Sequence, residues 1–316
     1  MDVSVILNQM VQLFLVLAAG YGLYKWGQID DEFYSRLNRF VLNVTMPAMI
    51  LGSVLTGSRT VSIHGPSMAA ACLILTVLLP GLSCFTAKFL PVKQENRGLY
   101  AFMMMYPNVG FMGFPIMKSI FGNDSVLATS VINLCFNVSL FTLGSAAMGM
   151  KEGGRGTGKR QNSFSLKLFL SPGIIASVCA VIFYGFHIPC PSAAGNALNL
   201  IGSMTTPLAM MLIGVILAKI PFGEVWRDWR MYLFSLLIQL ILPAAAWPVL
   251  KFLIPDTLIR GITLIILAMP VANSAVIFAG EYGKDEILAA KMVFLSTFMS
   301  IVTIPLIAAW FLVPTG

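Results

Sequence analysis

Two asparagines lie beside prolines inside the most apolar stretches of the chain. Asn108 follows Pro107 in "YPNVGFMGFP", Tyr106 to Pro115, and Asn273 stands three residues after Pro270 in "MPVANSAVIFAG". An amide offers two donors and an acceptor and carries no charge. These groups can hold a ligand, but neither is a nucleophile or a general base. Gly110 and Ser274 flank them, and Thr45 and Thr206 set hydroxyls just before Pro47 and Pro207. Asn43 and Asn133 are further polar residues in apolar runs. Asn133 and Asn137 fall one turn apart, a spacing that suits hydrogen bonding between helices as well as the wall of a cavity.

The acids are informative by their positions. All 13 Asp and Glu fall in loops or near the ends of apolar runs, and none falls at mid-run. Both histidines, His64 and His187, also lie near run ends. Proton relays and most cation sites within a membrane recruit a carboxylate or imidazole there. Neutral amides, hydroxyls and backbone donors instead suit an anion. No Ser/His or Asp/Asp set and no cluster of metal-ligand residues is evident, so the expectation is no enzyme, no cofactor and no metal. The five cysteines are scattered without a C-x-x-C pair and read as small apolar fillers.

What elements position these residues? The chain has 316 residues, 58% hydrophobic and 10% charged, with a mean hydropathy of +0.85. A soluble domain keeps about a quarter of its residues charged, so the solvent is lipid. The net charge of +7 invites a nucleic-acid reading. It is rejected, because the cations occupy short loops and form no basic face. Runs of about 20 apolar residues predict ten spans, near 4–25, 34–57, 67–90, 97–121, 124–149, 168–187, 193–219, 229–253, 257–281 and 285–312. The basic, Gly-rich segment 151–166 divides residues 1–150 from 167–316 and reads as a flexible linker. With ten spans, 16 of the 20 Lys and Arg fall on the linker side. That asymmetry places the linker in the cytoplasm and both termini outside the cytoplasmic membrane.

The two halves resemble each other. "TMPAMILGSVL" from Thr45 matches "TTPLAMMLIGVIL" from Thr205, and "FGNDSVLA" from Phe121 matches "YGKDEILA" from Tyr282, at offsets of 160 and 161. Five spans per half make the repeats inverted, a pattern of secondary transporters. Spans four and nine each carry a proline and an asparagine near mid-span. Proline removes a backbone donor and crowds the preceding turn, so both spans should be broken. Unwound backbone at membrane depth is tolerated only when buried or lining a wet cavity. Paired breaks therefore mark the expected binding site. Half-helix N-termini there would present free N–H groups to an anion.

"LNRFVLNVTMPAMIL", "YPNVGFMGFPI", "TTPLAMMLIGVILA" and "MPVANSAVIFAGEYG" resemble the auxin efflux carrier family, including its bacterial members. The resemblance implies an all-α membrane protein of ten helices in two inverted five-helix repeats, with spans four and nine crossing at their breaks. It implies scaffold and transport domains, an elevator-like motion and often a homodimer. It also implies organic anions as cargo, such as auxin, malate or malonate-like dicarboxylates. By position, Asn108 and Asn273 would meet the carboxylate, with the region around Thr45 and Pro47 as the cavity wall. A sodium-coupled symporter of the bile-acid carrier type is the alternative expectation.

Overall fold

The computed structural model of the chain describes residues 3–56, 64–149, 172–186, 188, 191–219 and 228–312. The expected linker 151–166, His187 and Cys190 lie outside the described residues. Among the described residues the protein is helical, with a single isolated backbone pairing and no strand.

The helices are α1 (Val3–Lys25), α2 (Asp31–Phe40), α3 (Met46–Thr56), α4 (Gly65–Leu73) and α5 (Leu79–Ala87). Next come α6 (Arg97–Met105), α7 (Phe114–Phe121), α8 (Asp124–Ser139), α9 (Ser145–Gly149) and α10 (Pro172–Gly185). Then follow α11 (Ser192–Ser203), α12 (Thr205–Lys219), α13 (Trp229–Leu236), α14 (Leu242–Leu253), α15 (Thr257–Leu267), α16 (Ser274–Glu281) and α17 (Glu286–Phe311). Among the described residues, five continuous helical runs are long and apolar enough to cross a bilayer: Gly65–Ala87, Asp124–Met148, Ser192–Lys219, Trp229–Leu253 and Glu286–Phe311. Of the remaining expected spans, 4–25 is the 23-residue α1, and the others contain shorter helices. Two of them, 97–121 and 257–281, are interrupted at mid-run.

Proline explains most of the irregular turns. Wide π-turns at Val41–Thr45, Ile74–Leu78, Val109–Gly113 and Leu237–Ile241 each end two residues before a proline: Pro47, Pro80, Pro115 and Pro243. A proline ring crowds the carbonyl four residues back and offers that carbonyl no N–H. The preceding turn widens, and Met46, Leu79, Phe114 and Leu242 each donate to the carbonyl five residues earlier. The fifth π-turn, Leu140–Gly144, has no such proline. Its Gly144 lies under the rings of Phe102 and Tyr106, where a Cβ would come within 2.9 Å of both.

The acids at run ends turn out to be helix caps. Asp30, Asp228, Asp256 and Asp285 accept from the backbone N–H of Phe33, Arg230, Ile259 and Leu288. Each satisfies an orphan donor and meets the positive end of its helix.

Two groups of helices follow from the packing. α1 lies against α12, and α3 against α10 and α11. The α1–α12 approach needs glycine on both sides: a Cβ on Gly20 would collide with the Met211 backbone, and one on Gly214 with the Leu17 and Tyr21 backbone. The second group holds α4 to α9 and α13 to α17 around a large core that includes Met103, Met104 and Met105, and α1 and α12 reach into that core through Leu13, Leu17, Met210, Ile213 and Leu217. Val41, Ala209 and Leu212 pack with Phe111, which joins the π-turn after α2 and helix α12 to the segment after the first interruption.

Candidate functional site

The first interruption runs from Tyr106 to Asn108. Tyr106 is extended (φ −122°, ψ 82°), as a residue before proline prefers. Asn108 (φ −76°, ψ 67°) starts the next turn. The second interruption runs from Ala268 to Asn273, between α15 and α16.

The two interruptions meet. Asn108 N–H donates to Pro270 O at 2.8 Å, and Ala272 N–H donates to Tyr106 O at 3.3 Å. Together they pair Pro107 with Val271 in an antiparallel bridge. Backbone groups that cannot bond within their own helices bond to each other instead. At membrane depth an unmatched group costs several kcal/mol (roughly 2–7, depending on the reference). The same sequence breakers that end each helix thus create the contact between them.

Each break is tied to the core by a side-chain relay. Tyr106 is fully buried, and its hydroxyl donates to Ser139 O at 2.8 Å. Ser139 Oγ donates to Thr76 O at 3.2 Å. Thr76 is four residues before Pro80, so its carbonyl is the one that Pro80 leaves without a helical donor. On the other side, Val271 N–H donates to Ser296 Oγ at 3.1 Å. Gln239 Nε2 donates to Ser296 O at 2.6 Å, and Thr303 Oγ1 donates to Gln239 Oε1 at 2.9 Å. Gln239, Ser296 and Thr303 are all buried.

The crossing presents donors without acceptors. α16 starts at the second break, and the turn leading into α7 starts at the first, so two helix N-termini open there. Among the described residues the N–H groups of Gly110, Asn273 and Ser274 have no acceptor. Asn108 is 3% exposed. Its Oδ1 accepts from Phe111 N–H at 3.2 Å, which leaves its Nδ2 donors uncommitted. The amide of Asn273, half-buried, makes no hydrogen bond among the described residues. A Cβ built on Gly110 would meet nothing within 4 Å, so open space adjoins Gly110. Neither broken run carries an acid: within 97–121 and 257–280 there is no Asp or Glu.

Of the residues singled out in sequence, Pro107, Asn108, Gly110, Pro270, Asn273 and Ser274 come together at the crossing. Thr45 is buried, and its hydroxyl donates to Val41 O at 3.4 Å on its own helix. Thr206 is half-buried on α12, and Asn43 is exposed on the turn after α2. Asn133 is half-buried on α8. None of these four makes a hydrogen bond to either break among the described residues. Sequence reasoning missed Tyr106, Ser139, Gln239 and Ser296 as supports. A usable signal existed: Gln239 is a lone amide in "LLIQLIL" four residues before Pro243, as Thr76 is before Pro80.

An aromatic column leads away from the crossing. Phe136, Tyr106, Phe102 and Phe278 follow one another with ring centroids 4.9–5.2 Å apart, and Phe278 stacks on Tyr282 at 6.1 Å. Tyr282 lines a half-open cavity of ≈ 970 Å³ at the start of α6, together with Lys93, Tyr100, Arg230 and Lys284. The cavity contains no residue of either break.

Comparison with known proteins identifies related chains. The family described as "Membrane transport protein" matches residues 5–308. The uncharacterized transporter MJ1031 of Methanocaldococcus jannaschii is 27% identical over 309 residues, 94% of this chain and 96% of its own length. An uncharacterized transporter of Methanothermobacter thermautotrophicus is 25% identical over 296 residues, 94% and 95% of the two chains. The uncharacterized transporter YfdV of Escherichia coli K12 is 21% identical over 309 residues, 95% and 96% of the two chains. With the family match running over nearly its whole length, the chain belongs to the auxin efflux carrier-type membrane transport family.

Proposed function

We propose that the protein is a secondary transporter that carries a small organic anion, a carboxylate, by alternating access, with the cargo held where the two broken helices cross. The carrying observation is the antiparallel contact of the breaks, with the N–H groups of Gly110, Asn273 and Ser274 unmatched and open space beside Gly110. Hydrogen bonds to a charged partner contribute about 1.5–3 kcal/mol each. Two half-helix N-termini add partial positive charge. Asn108 Nδ2 and the Asn273 amide complete a set of neutral donors, which holds an anion without a buried counter-charge.

Ten spans in two inverted repeats fit the same geometry. Pro80 and Pro107 recur as Pro243 and Pro270, both 163 residues on. Each member of the first pair follows a π-turn, and each member of the second interrupts a helix. The α1, α3, α10, α11 and α12 group would be the scaffold, and the group holding the crossing the moving body. Lys93, Arg230 and Lys284 then form a cytoplasmic vestibule. Asp228 and Asp285, which share it, are occupied as caps, and Glu95, also in its wall, pairs with Lys93 at 3.7 Å. An interior-negative potential favours anion export by about 2.3 kcal/mol per charge per 100 mV, so export, uniport or exchange follows.

A thermal-shift screen of malonate, malate and indole-3-acetate on the purified protein tests this reading. Stabilisation by at least one carboxylate, lost in Asn273→Ala, is the expected result. Equal shifts in the wild type and in both Asn108→Asp and Asn273→Ala would refute the site.

A further inference from the structure

Two cysteines that read in sequence as apolar fillers face each other. Cys72 on α4 and Cys135 on α8 are free, half-buried thiols, set side by side where α4 packs on α8. Helix register explains the meeting. Ser139 Oγ reaches Thr76 O. Cys135 and Cys72 each lie four residues earlier, one turn back on their helices. α4 packs on α8, and alternating spans three and five run in the same direction. One step back along both therefore leads from the Ser139–Thr76 contact to the thiol pair. Thr76 Oγ1 donates to Cys72 O at 2.6 Å, which fixes that turn.

We propose that Cys72 and Cys135 are a redox pair whose disulfide staples α4 to α8 beside the relay that holds Tyr106. Each thiol gives up a proton, the two sulfurs join, and the two electrons released reduce hydrogen peroxide to two waters. A dithiol reductant reverses the reaction by exchange and is itself left as a disulfide. Hydrogen peroxide is small and uncharged, and both thiols are open enough to meet it. Cys72 is seven residues from the start of α4 and Cys135 eleven from the start of α8, about 10 and 17 Å at 1.5 Å per residue. Under the topology proposed above, and for this point only, those ends face outside, where disulfides persist. A covalent tie one turn from the Ser139–Thr76 contact stops α4 and α8 from parting, and the Tyr106 anchor is then held closed.

The test uses the full chain in lipid nanodiscs, titrated with hydrogen peroxide. Remaining thiols are blocked with N-ethylmaleimide and the digest is read by tandem mass spectrometry. A Cys72–Cys135 linked peptide should become the main oxidised species before any link to Cys84 or Cys179 forms. Amide exchange over residues 106–113 should slow roughly fivefold or more. Dithiothreitol should reverse both, and Cys72→Ala and Cys135→Ala should show neither. Separate alkylation or sulfinic acids at the two positions without a linked peptide would overturn the proposal, as would a link that leaves exchange unchanged. No transport substrate is involved, so either failure leaves the carboxylate reading intact.

Discussion

At the scale of residues, the site depends on donors that the protein itself does not use. Asn108 has two ends to its amide: Oδ1 caps the turn at Phe111, and Nδ2 is the donor assigned to the cargo in the proposed function. The variants separate them. Asn108→Asp keeps the cap acceptor but removes the donor and adds a negative charge. It should leave the melting temperature near that of the wild type and abolish carboxylate binding. Asn273→Ala, with no side-chain bond to lose, should weaken binding roughly 10- to 100-fold, the equivalent of one charge-assisted hydrogen bond, in a calorimetric titration. Gly110→Leu places a side chain in the open space at that position. Stability should move by about 0.5 kcal/mol or less, while binding is lost. The two asparagines were legible in the sequence because amides in apolar runs are conspicuous. The roles of Thr45, Thr206, Asn43 and Asn133 were not, because a hydroxyl or amide on a helix can bond its own preceding turn or face outward, and only packing decides.

At the scale of elements, the interruptions could be read from Pro107 and Pro270, since proline ends a helix by removing a donor. The way the breaks are stabilised could not. The backbone pairing joins residues 164 positions apart, and the Ser139 and Ser296 relays join helices whose neighbours are set by the whole fold. The π-turns were equally hidden, although the cause of four of them, a proline two residues on, is local. Gln239 gives the measurable case. Gln239→Leu removes the donor to Ser296 O and the acceptor of Thr303 in a buried setting. It should destabilise the protein by about 1–3 kcal/mol and speed amide exchange over 268–273 more than over 106–108. At the rim, Lys219 bonds Asp31 at 2.6 Å and lies over the Tyr34 ring, tying α12 to α2. The Lys219 hydrogen bond and charge hold the Asp31 carboxyl below its usual range. Its contribution is therefore present above the ordinary carboxylate pKa and fades as pH falls through the lowered one. The melting-temperature difference between the wild type and Asp31→Asn should vanish over that acid window.

At the scale of the whole molecule, two helix groups of different character share one chain. The α1–α12 contact is backbone against backbone through Gly20 and Gly214. Gly214→Val should force these helices apart, with a loss of about 1–3 kcal/mol, without touching the crossing. Composition alone established that the solvent is lipid, and the broken runs located the crossing. The division into two groups emerged only from packing, because apolar helices facing lipid and apolar helices facing each other have the same composition. The central claim is that the crossing holds the anion, and a brominated carboxylate tests it most directly. Crystals soaked in bromomalonate should give an anomalous bromine peak between Gly110 and Asn273, next to the Pro107–Val271 pairing. A bound bromomalonate with its peak elsewhere, and none at the crossing, would contradict the account.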